Sequence, residues 1–250
     1  MAVLNTRVLT SLDAGVAMLT LNDAATDNAL GEEMVPELIR AIGDAAADSS
    51  VRVILLAGGA DVFSSGAPRE LLVKLAAGTL RPTDILLPKA LLDCPLPIVA
   101  AMEGHAIGGG FALGLSADII LMARESRYGF TFMNLGFSPG MGTTQLCEHV
   151  LSPAVAHELL YTGELRKGAD FANAAGINHV LPKLEVQGKA VDIARRIAEK
   201  PRLALEALKR TLSLPRRRAF EETITMESLM HQITFRALDA QRRIEADYVE

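Results

Sequence analysis

This sequence of 250 residues has few cysteines, no long apolar run and no signal-peptide pattern. Its two cysteines, Cys94 and Cys147, are too few for a disulfide framework or a four-cysteine metal site. No apolar run approaches the roughly 18 residues that a membrane span needs, and the first residues lack the basic flank and long apolar stretch of a signal peptide. We therefore expect a protein of the reducing cytoplasm with no membrane partner.

Basic residues are in the minority. Lys and Arg number 25 against 30 Asp and Glu, so the formal net charge is −5. Nucleic-acid binding generally requires a basic face, and no nucleic-acid partner is expected. His149 and His157 have no supporting cluster of ligands, so no metal site is expected either.

The first part of the chain alternates strand and helix patterns. Residues 32–47 carry apolar side chains at helical spacing. Short apolar runs typical of buried strands occupy Val16–Leu21, Val51–Ala57, Leu96–Met102 and Asp118–Met122. Buried strands separated by helices indicate an α/β fold with parallel pairing.

Helical periodicity dominates beyond about Pro139, and in the last segment it runs from Phe220 to Tyr248. We predict an α/β core over residues 1–200 and a helical C-terminal region over residues 201–250. The last segment has too many apolar residues for a solvated helix, so it either packs on its own core or, as we favour, forms a subunit interface.

Two loops follow predicted strands and could carry chemistry: residues 62–71 and residues 104–113, the second with three consecutive glycines at 108–110. The carboxyl ends of parallel strands are where α/β proteins bind ligands. One backbone N–H from each loop could form an oxyanion hole. Alternatively, the glycines serve only close packing between helix and strand.

Four segments, which include parts of both loops, resemble a known family. They resemble the crotonase (enoyl-CoA hydratase/isomerase) superfamily at residues 51–67, 97–110, 117–119 and 136–145. The resemblance implies a spiral of ββα units with a helical C-terminal trimerisation region. It also implies an oxyanion hole for a thioester carbonyl, formed by the backbone N–H groups of Ala67 and Gly109.

Two departures from the family pattern change the expected chemistry. Hydratases of this family use two glutamates, and the matching positions here hold Ala112 and Phe132. Neither side chain moves a proton, so the general acid–base catalysis that hydration needs is lost. An oxyanion hole without a general base suits a reaction that forms an enolate without proton abstraction, such as the loss of CO2.

A narrower resemblance supports that reaction. Residues 133–142, 161–163, 200–209 and 230–235 are similar to the crotonase-type decarboxylases of polyketide β-branching cassettes. This implies decarboxylation of a carrier-protein-bound 3-methylglutaconyl thioester to 3-methylcrotonyl, through a dienolate held by the oxyanion hole. The partner is then an acyl carrier protein, and the assembly a homotrimer or dimer of trimers. No cofactor is implied beyond the phosphopantetheine or coenzyme A that carries the substrate.

The resemblance also implies roles for individual side chains. His231 matches a family histidine and is expected, as an imidazolium with a near-neutral pKa, to protonate the dienolate. Lys74 is the nearest match to a lysine used by some members, although Leu75 holds the expected position. Leu71 and Phe132 are expected to line an apolar pocket for the carboxylate, and Asn134 is either a turn residue or a hydrogen-bond donor.

Two other readings remain open. The protein could be an enoyl-thioester isomerase or hydratase with a different acid or base, or a crotonase-like binding subunit without catalysis.

Overall fold

The structure is a computed structural model that describes residues 6–80, 87–173 and 176–246, and its strands form two sheets. The larger sheet contains six strands, in spatial order β1 (Val8–Asp13), β2 (Val16–Leu21), β3 (Val53–Ala57), β5 (Ile98–Met102), β7 (Ile119–Ala123) and β10 (His179–Leu181). The hairpin of β1 and β2 is antiparallel, and every other neighbouring pair in this sheet is parallel.

The smaller sheet consists of short strands that follow the long ones. Its order is β4 (Val62–Ser64), β6 (His105–Ile107), β8 (Arg127–Gly129) and β9 (Leu165–Lys167). The neighbouring pairs β4–β6 and β6–β8 are parallel, and β9 is antiparallel to β8.

Ten helices lie among the described residues. They are α1 (Met34–Ala47), α2 (Arg69–Ala76), α3 (Leu87–Asp93), α4 (Gly109–Leu115), α5 (Thr143–Leu151), α6 (Pro153–Thr162), α7 (Lys183–Ala198), α8 (Arg202–Leu212), α9 (Leu214–Thr234) and α10 (Leu238–Ala246). None of them is both long and apolar enough to cross a bilayer.

A repeated unit connects the two sheets. Three times, a long strand of the larger sheet is followed by a short strand of the smaller sheet and then by a helix: β3, β4 and α2; β5, β6 and α4; β7, β8 and α5. This is the predicted spiral of ββα units, and the α/β fold class is confirmed.

Both faces of the larger sheet are buried at its centre because β3, β5 and β7 are apolar at every position. In β3, Ile54 and Leu56 face the main core, whereas Leu55 faces the opposite side, where Ala190 and Ala194 of α7 cover the sheet. All seven residues of α4 are buried, so the helix after the glycine-rich loop lies inside the core.

A partly buried ionic cluster connects the C-terminal helices to the sheet. The Lys209 ammonium of α8 lies 2.6 Å from Asp118 Oδ2, and Arg216 of α9 lies 2.7 Å from Asp118 Oδ1. Asp118 also accepts the Ile98 N–H at 2.9 Å, at the start of β5. The position of α9 relative to the sheet is therefore fixed by charge as well as by packing.

The last segment is two helices rather than the single helix predicted from Phe220 onward. The chain leaves the helical path after Thr234 and begins α10 at Leu238, while Tyr248 lies outside the described residues. Phe235, at the end of α9, is buried and anchors the break. The domain boundary at residue 200 stays a prediction.

Candidate active site

The first predicted loop is a tight turn between β4 and α2. Gly66 has a left-handed φ of +88°. Its carbonyl accepts the Leu30 N–H at 2.7 Å, and Ser64 Oγ donates to the Asn28 carbonyl at 2.8 Å. The buried Asn28 amide also donates to two carbonyls of β4, at 3.1 and 3.2 Å. These bonds hold the backbone at Ala67 in place from the opposite side of the loop.

The second loop meets the first at its glycines. Gly108 adopts a φ of +54°, and Gly109 begins α4. A Cβ on Gly66 would stand 2.6 Å from the Ile107 carbonyl oxygen and 3.1 Å from the Gly109 nitrogen, so only glycine permits this approach. Because Gly109 is the first residue of a helix, its N–H has no acceptor within that helix.

A narrow cavity opens where the two loops meet. Five of the predicted site residues line it: Ala67, Leu71, Gly109, Phe132 and His231. The backbone positions expected to form the oxyanion hole thus share one cavity with the expected proton donor. Their catalytic roles stay predictions, which the geometry supports.

His231 is the one titratable side chain among the cavity's described lining residues. It lies in the last turn of α9 and is only 6% exposed. Its Nε2 is 2.6 Å from the Ser138 carbonyl oxygen. Since a carbonyl can only accept, Nε2 carries the proton of the neutral ring. Nδ1 is buried without a hydrogen-bond partner, so the acceptor nitrogen of the neutral ring is left unpaired.

The charge state of His231 differs from the expectation. Burial lowers the pKa of His231 to about 4, although the hydrogen bond to Ser138 acts in the opposite direction. The near-neutral pKa expected from the sequence is therefore wrong for the protein alone, because almost no water reaches the ring. His231 is neutral at pH 7 and must gain a proton before it can donate one.

Aromatic rings form the wall next to the imidazole. Phe132 stacks on Phe130 at 5.6 Å and contacts Phe137 at 5.9 Å. Phe137 in turn stacks on Phe235 at 4.3 Å, and both rings meet His231 edge to face. Phe132, at one of the two positions where the resemblance implied a glutamate in hydratases, is thus part of an aromatic surface.

The remaining predicted residues lie outside the lining. Ala112 is fully buried within α4. Asn134 lies in a turn, and its side-chain amide donates to the Gly163 carbonyl at 2.8 Å. Lys74 forms an ion pair with Glu32 at the surface, with 45% of its side chain exposed, and it does not line the cavity. A catalytic role for Lys74 stays a prediction without support from this geometry.

Sequence reasoning did not single out six residues of the lining: Leu30, Leu72, Phe137, Gly140, Met141 and Phe235. Three of them belong to the 136–145 segment that was used only for the family resemblance. Phe235 follows His231 by one helical turn, so the spacing along α9 could have placed it on the same face.

Comparison with known proteins identifies the family to which the chain belongs. Residues 11–250 match the family model described as Enoyl-CoA hydratase/isomerase. The bacillaene synthase decarboxylase PksI of Bacillus subtilis is 36% identical over 240 residues, which cover 96% of both proteins.

Two solved structures share the fold closely. One, from a study of a dehydratase/decarboxylase enzyme couple in polyketide β-branching, has a TM-score of 0.94 and 35% identity, covering 98% of this chain and 97% of that one. The ECH2 decarboxylase domain of CurF from Lyngbya majuscula has a TM-score of 0.91 and 34% identity, covering 98% of this chain and 100% of that domain. The chain therefore belongs to the enoyl-CoA hydratase/isomerase family; two of the relatives named here are decarboxylases, and the third comes from a dehydratase/decarboxylase couple.

Proposed function

We propose that this protein is the decarboxylase of a polyketide β-branching cassette and converts a carrier-bound 3-methylglutaconyl thioester to 3-methylcrotonyl. The observation that carries the proposal is the cavity itself. It combines two backbone positions suited to an oxyanion hole with apolar walls and a single imidazole. The relatives named above support the same reaction class.

The thioester oxygen accepts hydrogen bonds from the Ala67 and Gly109 N–H groups. The substrate carboxylate lies toward Phe132 and His231, in surroundings that solvate an anion poorly. When the carbon–carbon bond breaks, its electron pair moves through the double bond onto the thioester oxygen, and CO2 departs. Each oxyanion donor stabilises the resulting dienolate by about 3 kcal/mol.

The reaction consumes one proton, and His231 supplies it. The neutral ring presents Nδ1 as an acceptor, so it first takes up a proton from solvent as the substrate carboxylate enters. The adjacent negative charge stabilises the imidazolium. After CO2 leaves, Nδ1 transfers this proton to a carbon of the dienolate, and the ring returns to its neutral state.

Hydration does not suit this site. Activation and delivery of water require general acid–base groups, whereas Phe132 presents an aromatic ring and Ala112 is sealed within α4. The decarboxylation steps require no metal and no redox cofactor. The substrate brings its own carrier, phosphopantetheine on an acyl carrier protein, with coenzyme A as the other possible carrier.

The proposed setting is a cytoplasmic homotrimer or dimer of trimers. Apolar side chains on α8 and α9 are exposed in the single chain: Leu208, Leu212, Met226, Leu229 and Ile233. Apolar surface of this kind on a soluble protein is typical of a subunit interface. Sedimentation velocity tests the assembly, and a monomer at micromolar concentration would contradict it.

Intact-mass spectrometry tests the reaction directly. An acyl carrier protein loaded with the 3-methylglutaconyl group is incubated with the wild-type protein, and the mass of one CO2 is lost. His231→Gln keeps a donor for the Ser138 carbonyl but cannot deliver the proton, so we expect kcat to fall by about 100-fold or more. His149→Gln, at an exposed position of α5, is the matched control and keeps wild-type activity.

An unchanged substrate mass, beside an active control decarboxylase, would refute the proposal. Hydration or isomerisation of a crotonyl thioester by the same sample would favour the other enzymatic reading. Thioester binding without turnover, unaffected by His231→Gln, would favour a binding subunit.

A further inference from the structure

One face of α9 carries three polar side chains that bind a single segment of backbone. Glu227, His231 and Thr234 are spaced four and three residues apart, so they share that face. Thr234 Oγ1 accepts the Ser138 N–H at 3.2 Å, and His231 binds the Ser138 carbonyl. Glu227 is buried and binds the other end of the segment.

Glu227 caps the turn that leads into α5. Its Oε2 accepts the Gly142 N–H at 2.5 Å, and its Oε1 accepts the Thr144 N–H at 3.0 Å and the Thr144 hydroxyl at 2.7 Å. Burial raises the pKa of the Glu227 carboxyl, and these donors oppose that rise. Three donors aimed at one carboxylate offset part of the cost of burying it.

The turn that Glu227 holds is conformationally demanding. Met141 and Gly142 both have left-handed φ angles, +64° and +73°. Such a conformation is costly for a residue with a side chain, so it persists only where the surroundings impose it. The bonds that Gly142 and Thr144 donate to Glu227 contribute to that constraint, together with the bonds that Thr143 donates to the Gly140 carbonyl.

This turn contacts both the His231 imidazole and the loop that contains Gly109. A Cβ on Gly140 would stand 2.6 Å from His231 Nε2, so the Gly140 backbone lies directly against the imidazole. Met141 Sδ would be 3.2 Å from a Cβ on Gly109, so this side chain packs on the second oxyanion loop. A shift of the turn therefore moves the surface that fixes the ring and the wall beside Gly109.

We propose that Glu227 is a positioning residue that holds the 140–144 turn and thereby fixes the His231 imidazole for proton delivery. The inference rests on the proposed function of this cavity. Without the full set of Glu227 bonds, the turn relaxes, the Ser138 carbonyl and Gly140 move, and the ring loses its single orientation. Substrate binding continues, while proton transfer slows.

A double-mutant cycle on kcat tests this role. Glu227→Gln preserves the side-chain shape but replaces one carboxylate oxygen with an NH2 group, which cannot accept from Gly142 or Thr144. We expect kcat to fall about tenfold with KM changed less than about twofold. In the His231→Gln background the same substitution is expected to cost less than about twofold, because it acts through the histidine. Equal losses in both backgrounds would overturn the proposal.

Glu37→Gln is the matched control. Glu37 also accepts two backbone N–H groups, from Arg7 at 3.3 Å and Val8 at 3.2 Å, but it lies on α1 and does not line the cavity. It should lose stability without losing kcat. If Glu227→Gln does not fold, Thr144→Val removes one of the three donors and should give a smaller loss of kcat with the same dependence on His231.

A spectroscopic readout separates this inference from the proposed function. Nitrogen-15 shifts of His231 at neutral pH should show one tautomer, protonated at Nε2, in the wild-type and Glu37→Gln proteins. Glu227→Gln should show a mixture, because the Ser138 acceptor has moved. Should the wild-type protein fail to decarboxylate its substrate, the proposed function fails while this comparison still decides the positioning role. A single Nε2–H tautomer in Glu227→Gln would refute it.

Discussion

Protonation of His231 is expected to destabilise the folded protein between pH 6.5 and about pH 4. The perturbation is a change of pH, compared in the wild-type protein and His231→Gln. Burial lowers the pKa of His231 from 6.5 to about 4, so the folded state favours the neutral ring. The stability linked to that preference is complete above pH 6.5 and is lost as the pH falls through this window.

The magnitude follows from the width of the window. The shift from 6.5 to about 4 corresponds to about 3 kcal/mol in total, of which about 2 kcal/mol is lost by pH 5. The side chain is only 6% exposed, so solvent screening reduces this little. His105 and His179 also have lowered pKa values, but they contribute equally in both proteins and cancel in the comparison.

Urea denaturation followed by circular dichroism measures the effect. The free energy of unfolding of the wild-type protein should fall between pH 7 and pH 5 by about 2 kcal/mol more than that of His231→Gln. Both proteins are compared at one concentration, because subunit association adds to apparent stability. Parallel pH profiles would refute the reasoning and show that the ring is hydrated or already paired with an anion.

Two further substitutions test the surroundings of the cavity. Gly140→Ala should lower the free energy of unfolding by about 1–3 kcal/mol in urea titrations because its Cβ would stand 2.6 Å from His231 Nε2. That cost should largely vanish in a His231→Ala background, whereas Gly43→Ala, where nothing lies within 4 Å of the new Cβ, should stabilise α1 by about 0.5–1 kcal/mol. Lys74→Ala should reduce kcat in the mass-spectrometric assay by less than about threefold, since surface ion pairs contribute little; a loss near 100-fold would show that Lys74 reaches the substrate.

The sequence predicted the buried framework well because apolar periodicity reports burial. The four predicted strands all occur, although β3 begins at Val53 rather than Val51 and β5 at Ile98 rather than Leu96. The short strands of the smaller sheet were missed, since three residues are too few to show a period. The break between α9 and α10 was missed for a different reason: it is set by the tertiary burial of Phe235, and no proline or glycine marks it.

Within the site, the features marked by a local sequence pattern or a family motif could be predicted, and those set by tertiary contacts could not. The two loops could be located because glycine-rich segments after strands leave a local signal. The choice of Ala67, Gly109 and His231 within the site came from the family resemblance. The pKa of His231 and the carboxylate of Glu227 were beyond the sequence. Both depend on contacts between segments about 85 to 95 residues apart, which no local pattern encodes.

The chain of aromatic rings beside His231 gives the protein an optical property of its own. Phe130, Phe132, Phe137 and Phe235 contact one another in series, and Phe111 extends the series toward the core. With no tryptophan and only three tyrosines in the chain, we expect the phenylalanine fine structure of the near-ultraviolet dichroism to report on these packed rings. Changes in the packing of the cavity wall should therefore alter the near-ultraviolet spectrum of the unlabelled protein.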